Sequence, residues 1–490
     1  MNWAEIAALV YLVSLVIPFI MLVFVPVNRR PSSATAWLLL IFMFPYIGTA
    51  IFLLLGNSKL SVRRRLQQRA MDDLIRKEMA AMCQRPDLAP LLDPRIPPRS
   101  EPFVHLNTNL SGLPAFGGNT VELCADYAGT IRAITEEIER AQRFIHVEYF
   151  ILCRDASTEP FFQALERAVR RGVTVRVLLD HLGSLLYPGY RALMRWMREA
   201  GIEAHVMLPV RIFDNEWSRA DLRNHRKIVV VDGAVGFTGS QNIIDRTYHK
   251  RKNLRRGLVY DELVARVTGP VVMQLQAVFI TDWYSETGVL LDRAAAPELW
   301  DIPPTAGGSL CQVLPSGPGH DNENNLKLFA SLIHAARRRI VICNPYFVPD
   351  ESLMTAITSA AQRDVEVHLV LSEISDQFLV YHAQRSYYEA LLRAGVQVWL
   401  YRAPAMLHSK TISIDDDIAV LGSSNMDIRS FELDLEVTLV VYDPHVVRAL
   451  RQVEALYRSR ARPLQLEEWR RRSRLTQFVD NMARLTSALQ

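Results

Sequence analysis

The chain of 490 residues lacks the short signatures that accompany most metal and nucleotide chemistry. It has no H-E-x-x-H pair of a zinc hydrolase and no G-x-x-x-x-G-K-[ST] phosphate loop. Its five cysteines are odd in number, widely separated and outside any C-x-x-C spacing, as is typical of reduced thiols in a cytosolic domain. We therefore expect no cofactor and no metal.

An excess of charge of one sign is missing as well. The 56 lysines and arginines nearly balance the 52 aspartates and glutamates, which leaves a net charge of +4. That balance argues against a nucleic-acid-binding protein, because such affinity depends on neutralising phosphates. The length allows two or three domains, each with its own core.

Two stretches near the N-terminus contain no charged residue at all. Residues 6–27 (IAALVYLVSLVIPFIMLVFVPV) and 36–56 (AWLLLIFMFPYIGTAIFLLLG) are each long enough to cross a bilayer. No lysine or arginine precedes the first stretch, which argues against a cleaved signal peptide. The sequence predicts an N-terminal transmembrane helical hairpin and a membrane-embedded protein.

The flanking basic residues indicate an orientation. Arg29 and Arg30 lie between the apolar stretches. A larger basic group follows the second stretch, and we expect a multi-pass hairpin with its N-terminus and the large extramembrane body both in the cytoplasm. Pro45 and Gly48 leave open a second segment that dips into the membrane without crossing it. The larger group consists of Lys59, Arg63, Arg64, Arg65 and Arg69.

One pattern occurs twice, in NHRKIVVVDGAVGFTGSQNIID (residues 224–245) and MLHSKTISIDDDIAVLGSSNMD (residues 406–427). Both copies fit H-x-K, four residues, D, six residues and G-S-x-N. Six matched positions at fixed spacing indicate an internal duplication. The matched pairs are His225 and His408, Lys227 and Lys410, Asp232 and Asp415, Gly239 and Gly422, Ser240 and Ser423, and Asn242 and Asn425.

The sequence around the motifs repeats too. Each half contains an apolar strand, a Tyr-Phe pair, an acidic loop, an amphipathic helix and a valine-rich strand, which predicts a duplicated α/β domain with a pseudo-twofold axis. We expect membrane segments in residues 1–58 and a basic juxtamembrane helix with a proline-rich linker in 59–115. The two α/β domains then occupy residues 116–300 and 301–490.

The alternation of side chains along a strand sorts the roles within the motif. Histidine and lysine share one face of their strand, beside the serine and asparagine of the returning strand. Asp232-Gly233 is typical of a two-residue hairpin turn, so we interpret Asp232 and Asp415 as holding turns. Each motif thus gathers an imidazole, an ammonium, an amide and a hydroxyl without a carboxylate, which indicates an anion site.

A phosphodiester is an anion that suits two such groups. The lysines and asparagines can stabilise the charge on the phosphoryl oxygens. One histidine can attack phosphorus while the other protonates the leaving alkoxide, which gives a covalent phosphohistidine. An incoming hydroxyl then reverses the roles, so the predicted reaction exchanges one ester for another.

The doubled motif resembles the two HKD motifs of the phospholipase D superfamily. From about residue 34 onward the chain is similar to bacterial cardiolipin synthases. The similarity is carried by ATAWLLLIFMFPYIGTAIFLLLGN, GNTVELCADY, IHVEYFIL, PSGP and NPYFVPD, and most specifically by GSSNMDIRSFELDLE. That family joins two phosphatidylglycerol molecules into cardiolipin and glycerol, without a metal, at the bacterial cytoplasmic membrane.

The resemblance implies a site residue by residue. His225 and His408 form the catalytic pair, with His225 favoured as the nucleophile. The acids that orient the histidines would be Glu436 and, in the first half, Asp261 or Glu262; Glu148 is either a site group or a structural hydrogen-bonding residue. Lys227, Asp232, Lys410 and Asp415 complete the catalytic motifs, and the phosphate-binding residues would be Ser240, Asn242, Ser423 and Asn425.

Two surface features have two interpretations each. The basic cluster from His249 to Arg256 is either a solvated loop or a site of attraction for anionic lipid headgroups. A C-terminal helix places one apolar stripe either against the body or against the membrane. Its residues are Leu475, Phe478, Val479 and Met482.

The expected partners are phosphatidylglycerol and anionic membrane lipid, without nucleic acid. Other functions stay open at this point: a phospholipase D-type hydrolase or another phosphatidyltransferase, an HKD nuclease, and an inactive lipid-binding scaffold. The near-neutral charge argues against the nuclease, and two complete motifs argue against the scaffold. The oligomeric state stays open, a homo-oligomer included.

Overall fold

A computed structural model describes residues 3–27, 29, 31–56, 60–84, 91, 96–210, 219–320 and 323–486. It divides into two compact units, Met1–Lys59 and Leu60–Gln490. Part of the proline-rich linker predicted within residues 59–115 lies outside the described residues.

The first unit contains one helix that can cross a membrane. The helix α1 (Trp3–Phe24) has 22 residues and a mean hydropathy of 2.8 over its most apolar window. At 1.5 Å per residue it measures ~33 Å, enough for the hydrocarbon layer. Among the described residues it is the one helix that is both long enough and apolar enough to cross a membrane. The other two helices of the unit are α2 (Pro31–Met43) and α3 (Pro45–Leu55).

The second apolar segment is not a single spanning helix, which corrects the predicted hairpin. Pro45 begins α3, and the ring centroids of Trp37 and Phe52 lie 5.4 Å apart. A Cβ atom on Gly48 would lie 2.8 Å from the carbonyl oxygen of Leu40. The two helices therefore fold back on each other, and each is ~16–20 Å long, too short to cross alone.

The second unit begins with two helices that pack on its α/β body. The predicted basic helix is present as α4 (Val62–Cys83), with the Ser61 side chain accepting from the N–H of Arg64. Arg64 also forms a buried salt bridge with Glu286. The helix α5 (Glu101–Ser111) follows.

The first repeated half alternates strands and helices, as predicted. In chain order it contains β1 (Phe116–Cys124), α6 (Tyr127–Arg140), β2 (Phe144–Tyr149), α7 (Glu159–Arg170), β3 (Thr174–Asp180), α8 (His181–Leu185), α9 (Tyr190–Glu199), β4 (Glu203–Met207), β5 (Arg223–Asn224), β6 (Lys227–Val231), β7 (Val235–Gly239), α10 (Arg251–Arg256), β8 (Val259–Asp261), β9 (Val264–Thr268) and α11 (Val272–Thr287). A short 3₁₀ turn, Pro297–Trp300, leads to the second half.

The second half repeats this order with a C-terminal extension. It contains β10 (Ser309–Ser316), α12 (Asn324–Ala335), β11 (Arg339–Cys343), β12 (Phe347–Val348), α13 (Glu351–Gln362), β13 (Glu366–Ser372), α14 (Phe378–Arg393), β14 (Gln397–Tyr401), β15 (Ala405–Leu407), β16 (Thr411–Ile414), β17 (Ile418–Gly422), β18 (Met426–Asp427), α15 (Ile428–Glu432), β19 (Asp434–Tyr442), α16 (Pro444–Ser459), β20 (Ala461–Pro463), α17 (Leu466–Arg470) and α18 (Arg474–Arg484).

The two halves share one sheet, whose order exposes the duplication. From edge to edge the strands run β20, β14, β13, β11, β16, β17, β19, β10, β1, β9, β7, β6, β2, β3 and β4, with β5 paired to β19. Counted outward from the centre, both halves place their strands in the same order, and β20 is an addition. The equivalent strands β1 and β10 pair antiparallel in the middle, which indicates an approximate twofold rotation between the halves.

The motif strands are buried on both faces. In β6, Ile228 and Val230 pack with the layer around α11, while Val229 and Val231 pack with the layer around α6 and α7. A strand covered on both sides reads as a continuous apolar run, which explains the sequence KIVVV. The lysine at its start is therefore held inside the protein.

Candidate active site

Each motif histidine lies just before the strand that bears its lysine. Nζ of Lys227 donates to the carbonyl oxygen of His225 at 2.5 Å, and Nζ of Lys410 donates to that of His408 at 2.7 Å. All four residues are buried, and none is more than 9% exposed. The two copies of the motif thus adopt the same local geometry.

The carboxyl group beside each histidine comes from the opposite half. Nδ1 of His225 lies 3.0 Å from Oε1 of Glu436, and Nδ1 of His408 lies 2.8 Å from Oε1 of Glu262. The strands ahead of the histidines cause this exchange, because β5 pairs with β19 and β15 pairs with β8. Neither half can build its own histidine–carboxyl pair, so the candidate site is composite.

The two carboxyl groups differ in proton affinity. Burial alone would raise the pKa of Glu436, but His225 and the charge on Lys227 hold that pKa below its usual value. Burial raises the pKa of Glu262 to about 7, against the charge on Lys410 and hydrogen bonds from serine and tyrosine. At neutral pH Glu436 is ionised, while Glu262 is about half protonated.

The basic groups are shifted toward their neutral forms. Burial lowers the pKa of His225 to about 4 and that of Lys227 to about 7. The pKa of His408 is lowered well below its usual value by burial and by the charges on Lys410, Lys227 and His225. Glu436 contacts both His225 of the first motif and Ser423 of the second, so the two motifs adjoin each other. An anionic phosphodiester bound there would favour the protonated forms of the basic groups.

The motif serines and asparagines make different contacts in the two halves. The Ser423 hydroxyl donates to Glu436, whereas the Ser240 hydroxyl donates to the carbonyl oxygen of Leu263, next to Glu262. Asn242 accepts from the N–H of Ile151 at 3.1 Å and donates to the Tyr248 hydroxyl. Its counterpart Asn425 differs, because its buried Oδ1 has no hydrogen-bond partner among the described residues.

Both motif aspartates hold loops instead of facing the histidines. Asp232 accepts hydrogen bonds from the N–H groups of residues 142–144 at 2.7–2.9 Å. Asp415 accepts from those of residues 337–339 and pairs with Arg99. The turn interpretation describes both residues, and their inclusion in the catalytic set is corrected, because no contact joins either carboxylate to a histidine within the described residues.

Two other predicted acids also lie elsewhere. The carboxylate of Asp261 pairs with Arg246 and accepts from the Tyr401 hydroxyl, so the acid at His408 is the neighbouring Glu262. Glu148 accepts from Asn224 at 3.0 Å, one residue before the first motif histidine. Glu148 therefore supports the backbone behind the site and does not contact a catalytic group.

Aromatic residues around the histidines were not predicted as site residues. The Phe150 ring lies 5.2 Å from His225. Tyr260 and Tyr346 lie 5.5 and 6.0 Å from His408. The hydroxyl of a further tyrosine, Tyr248, donates to Glu262 at 2.8 Å. The available signal was the repeated Tyr-Phe pair, which includes Phe150 in IHVEYFIL and Tyr346 in NPYFVPD.

This arrangement suits covalent transfer of a phosphoryl group. Each neutral imidazole can present Nε2 to a substrate while its Nδ1 is oriented by a carboxyl group. Two lysines flank the same space and can stabilise charge on the phosphoryl oxygens.

Comparison with known proteins agrees with this chemistry. The family described as "Cardiolipin synthase, PLD-like domain" matches residues 134–283 and 329–456, and "Phospholipase D-nuclease N-terminal" matches residues 8–57. A cardiolipin synthase of Geobacillus thermodenitrificans is 32% identical over 484 residues, which cover 98% of this chain and 93% of that protein. Cardiolipin synthase A of Proteus mirabilis is 31% identical over 94% of both chains.

Solved structures share the fold. The crystal structure of a phosphatidylserine synthase from Haemophilus influenzae covers 79% of this chain and 99% of its own, with a TM-score of 0.61 and 15% identity. At that identity the likeness shows the architecture alone. The chain belongs to the cardiolipin synthase family of the phospholipase D superfamily.

Proposed function

We propose that the protein is a cardiolipin synthase, a phosphatidyltransferase that converts two phosphatidylglycerol molecules into cardiolipin and glycerol. The observation that carries the proposal is the pair of buried His–Lys motifs, each completed by a glutamate from the opposite half. Membership of the family supports the same reaction.

In the first step Nε2 of His225 attacks the phosphorus atom of one phosphatidylglycerol. The bond between phosphorus and the terminal glycerol oxygen breaks, and its electron pair goes to the leaving oxygen. His408, protonated once the anionic substrate is bound, donates a proton to that oxygen, and glycerol leaves. The phosphatidyl group remains on His225 as a phosphohistidine.

In the second step the terminal hydroxyl of another phosphatidylglycerol attacks phosphorus. His408, now neutral, accepts the hydroxyl proton, and the phosphorus–nitrogen bond breaks to free His225. The product is cardiolipin. The cycle exchanges one phosphate ester for another, so it needs no nucleotide, and chelators should leave the rate unchanged.

Charge stabilisation comes from the lysines and from one asparagine. Lys227 and Lys410 flank the phosphoryl position and favour its negative oxygens. Asn425, whose buried Oδ1 has no partner among the described residues, can turn its amide so that Nδ2 donates to a phosphoryl oxygen. In the first half Asn242 is held by Ile151 and Tyr248, so it positions Tyr248 and through it Glu262.

The protein is membrane-associated, and we propose the bacterial cytoplasmic membrane with the catalytic body in the cytoplasm. In this proposal α1 crosses once, and α2 and α3 enter and leave on one side. Support comes from Arg29, which donates to the carbonyl of Gly56 and lies 4.6 Å from the Phe52 ring centroid, so the two ends of the segment meet. All basic residues near the segment then lie on the cytoplasmic side.

Thiol labelling tests this topology. In intact cells, Asn2→Cys should react with an impermeant reagent, whereas Ser33→Cys should react only after lysis. External labelling of Ser33→Cys would restore a hairpin that crosses twice.

The function is tested by incubating the purified full-length enzyme with phosphatidylglycerol alone and identifying the lipid products by mass spectrometry. We expect cardiolipin and free glycerol in equal amounts. Phosphatidic acid as the main product would identify a hydrolase, and cleavage of plasmid DNA by the same preparation would identify a nuclease.

A further inference from the structure

The C-terminal helix α18 packs on the body with its polar side. Asp480 is 1% exposed and forms ion pairs with His382, Arg385 and Arg472. The opposite side of the helix turns apolar side chains to solvent, which reverses the usual pattern of a surface helix. This α18 stripe consists of Leu475, Phe478, Met482 and Leu485, exposed by 73, 59, 48 and 77%.

A second group of exposed apolar side chains lies beyond the carboxyl ends of the strands β3 and β13. Three elements contribute to it: the loop after β3, the helix α10 and the start of α14. Apolar side chains of this size are normally found singly on a soluble surface, and groups of them mark interaction sites. We call this group the apolar rim; it consists of Leu185, Leu186, Leu254, Phe378 and Leu379.

Asp376 connects the apolar rim to the active site. Its carboxylate accepts from the hydroxyls of Tyr260 at 3.0 Å and Tyr346 at 2.7 Å, and it pairs with Lys250. Both tyrosine rings contact His408. Phe378 follows Asp376 by two residues, and Leu254 lies in α10, directly after Lys250, so these two members of the apolar rim are near the groups that contact His408.

Contacts between α14 and α18 hold the two helices side by side. The ring centroid of Phe378 lies 4.4 Å from that of His382, one turn further along α14. Nδ1 of His382 lies 2.7 Å from Asp480 on the polar side of α18. The helix that carries the α18 stripe is therefore anchored next to the start of α14, which belongs to the apolar rim.

Positive charge accompanies this surface. The cations of α10 are exposed and have no carboxylate partner among the described residues. Arg471, at the end of α17, and Arg474, at the start of α18, are exposed. Apolar side chains interspersed with arginine and lysine are typical of surfaces that lie in an anionic bilayer interface. The α10 cations are Arg251, Lys252, Arg255 and Arg256.

We propose that the α18 stripe, the apolar rim and the α10 cations together dock the catalytic body on the anionic bilayer surface, so that the active site opens at the level of the lipid headgroups. The occupant is the bilayer, since α1 can anchor the chain in a membrane and the cations of this surface complement anionic headgroups. Docking itself needs only an anionic membrane; its use for substrate entry rests on the proposed function.

Depth measurement on the full-length enzyme tests the docking. In proteoliposomes rich in phosphatidylglycerol, Leu475→Cys, Phe478→Cys and Leu186→Cys each carry an environment-sensitive fluorophore, in a background without other reactive thiols. The control is Gln362→Cys, exposed at the end of α13 on the opposite edge of the sheet. Nitroxide groups on the lipid acyl chains should quench the three test positions at least about twofold more than the control.

Equal quenching at all four positions would overturn the proposal. Quenching that disappears when each vesicle holds a single enzyme molecule would identify a second copy as the occupant and would overturn it too. Because this readout needs no catalysis, it stays decisive even if the enzyme forms no cardiolipin, which would refute the proposed function alone.

A kinetic comparison tests the use of the surface. The double variant Leu475→Glu, Phe478→Glu should raise the apparent KM for vesicular phosphatidylglycerol by about tenfold or more, since acidic groups are repelled from an anionic interface. Its kcat with dispersed short-chain phosphatidylglycerol should stay at the wild-type value, as should both parameters in Gln362→Glu. An unchanged KM with vesicles would overturn this part of the proposal.

Discussion

The two half-sites have the same geometry but different proton affinities. At His225 the neighbouring Glu436 is held ionised, and at His408 the pKa of Glu262 is raised to about 7. At Glu436, His225 and the charge on Lys227 outweigh the effect of burial. At Glu262 burial prevails, although Lys410 and the Tyr248 hydroxyl act against it. Duplication preserved the backbone geometry, but the two carboxyl groups differ in proton affinity.

The difference in proton affinity between Glu436 and Glu262 suits different roles for the two histidines. An ionised Glu436 orients neutral His225 and stabilises the positive charge that the ring acquires when Nε2 bonds to phosphorus. A carboxyl group that titrates near neutrality suits His408, which must gain and lose a proton in each turnover. We therefore assign His225 as the nucleophile and His408 as the acid and base.

The largest expected effect comes from the histidines themselves. His225→Ala and His408→Ala should each lower kcat by about 10⁴-fold or more, and the double variant should be no worse, because the two act as one unit. The comparison sharpens with a nitrophenyl phosphodiester lipid, whose leaving group needs no proton. There His408→Ala should retain a burst of nitrophenol and His225→Ala should give none. Substantial turnover by either single variant would refute the composite site.

Replacing the two glutamates should lower kcat with different dependence on pH. Glu436→Gln should lower kcat by about 10²–10⁴-fold across pH 6 to 8, because the native carboxylate is ionised throughout and its amide disfavours the required tautomer. Glu262 has its pKa raised to about 7, so the native group is largely protonated at pH 6 and ionised at pH 8. Glu262→Gln should therefore lower kcat only slightly at pH 6 and increasingly toward pH 8. Parallel pH profiles for the two variants would contradict the comparison.

Smaller effects should follow from removing the hydroxyl donors. Tyr248→Phe deletes a hydrogen bond that stabilises ionised Glu262, so the pKa of that carboxyl should rise and the acidic limb of kcat should move upward by less than about one pH unit. Ser423→Ala is the matched control, since it raises the pKa of Glu436 from below its usual value and leaves that group ionised at pH 6. Equal shifts in the two variants would mean that the half-sites titrate alike.

The motif aspartates should affect stability and leave kcat nearly unchanged. Asp232→Ala and Asp415→Ala each leave three backbone N–H groups without their acceptor, at a cost of about 1–3 kcal/mol in the free energy of unfolding. The pKa of Asp415 is lowered, so its contribution is complete above about pH 5 and is lost as the pH falls through its folded value. Denaturant unfolding measures both effects, and a large fall in kcat of the folded variants would restore a catalytic role.

Local patterns in the sequence predicted much of the fold and half of the candidate site. The doubled H-x-K…G-S-x-N spacing identified both His–Lys pairs and the duplicated α/β body, since these features depend on residues close in sequence. The alternation of side chains along the strand and the turn pattern also separated Asp232 and Asp415 from the histidines. The resemblance to the family motif nevertheless led us to count them as catalytic.

Features that depend on pairing between distant strands were not predictable in the same way. In the structure Gly239 pairs with Val264 and Gly422 with Thr438, so Glu262 and Glu436 are equivalent, two residues earlier on each strand. Unequal loops hide this equivalence in the sequence. The exchange of acids between halves likewise requires β5 and β15 to cross over, and neither two- to three-residue strand has a recognisable pattern.

The second apolar segment shows a different limit. Its length and lack of charge predict a crossing helix, but both properties are equally compatible with two short helices. The break at Pro45 and the close approach at Gly48 were visible as residues, yet only the fold shows that they act together to reverse the chain.

The assignment of roles to the half-sites is tested most directly by trapping the covalent intermediate. Wild-type enzyme mixed with the nitrophenyl lipid and quenched in base within one turnover should carry one phosphatidyl group, and mass spectrometry should locate it on the peptide containing His225. The same adduct should accumulate in His408→Ala. An adduct on His408 in the wild-type enzyme would contradict the assignment and reverse the two roles.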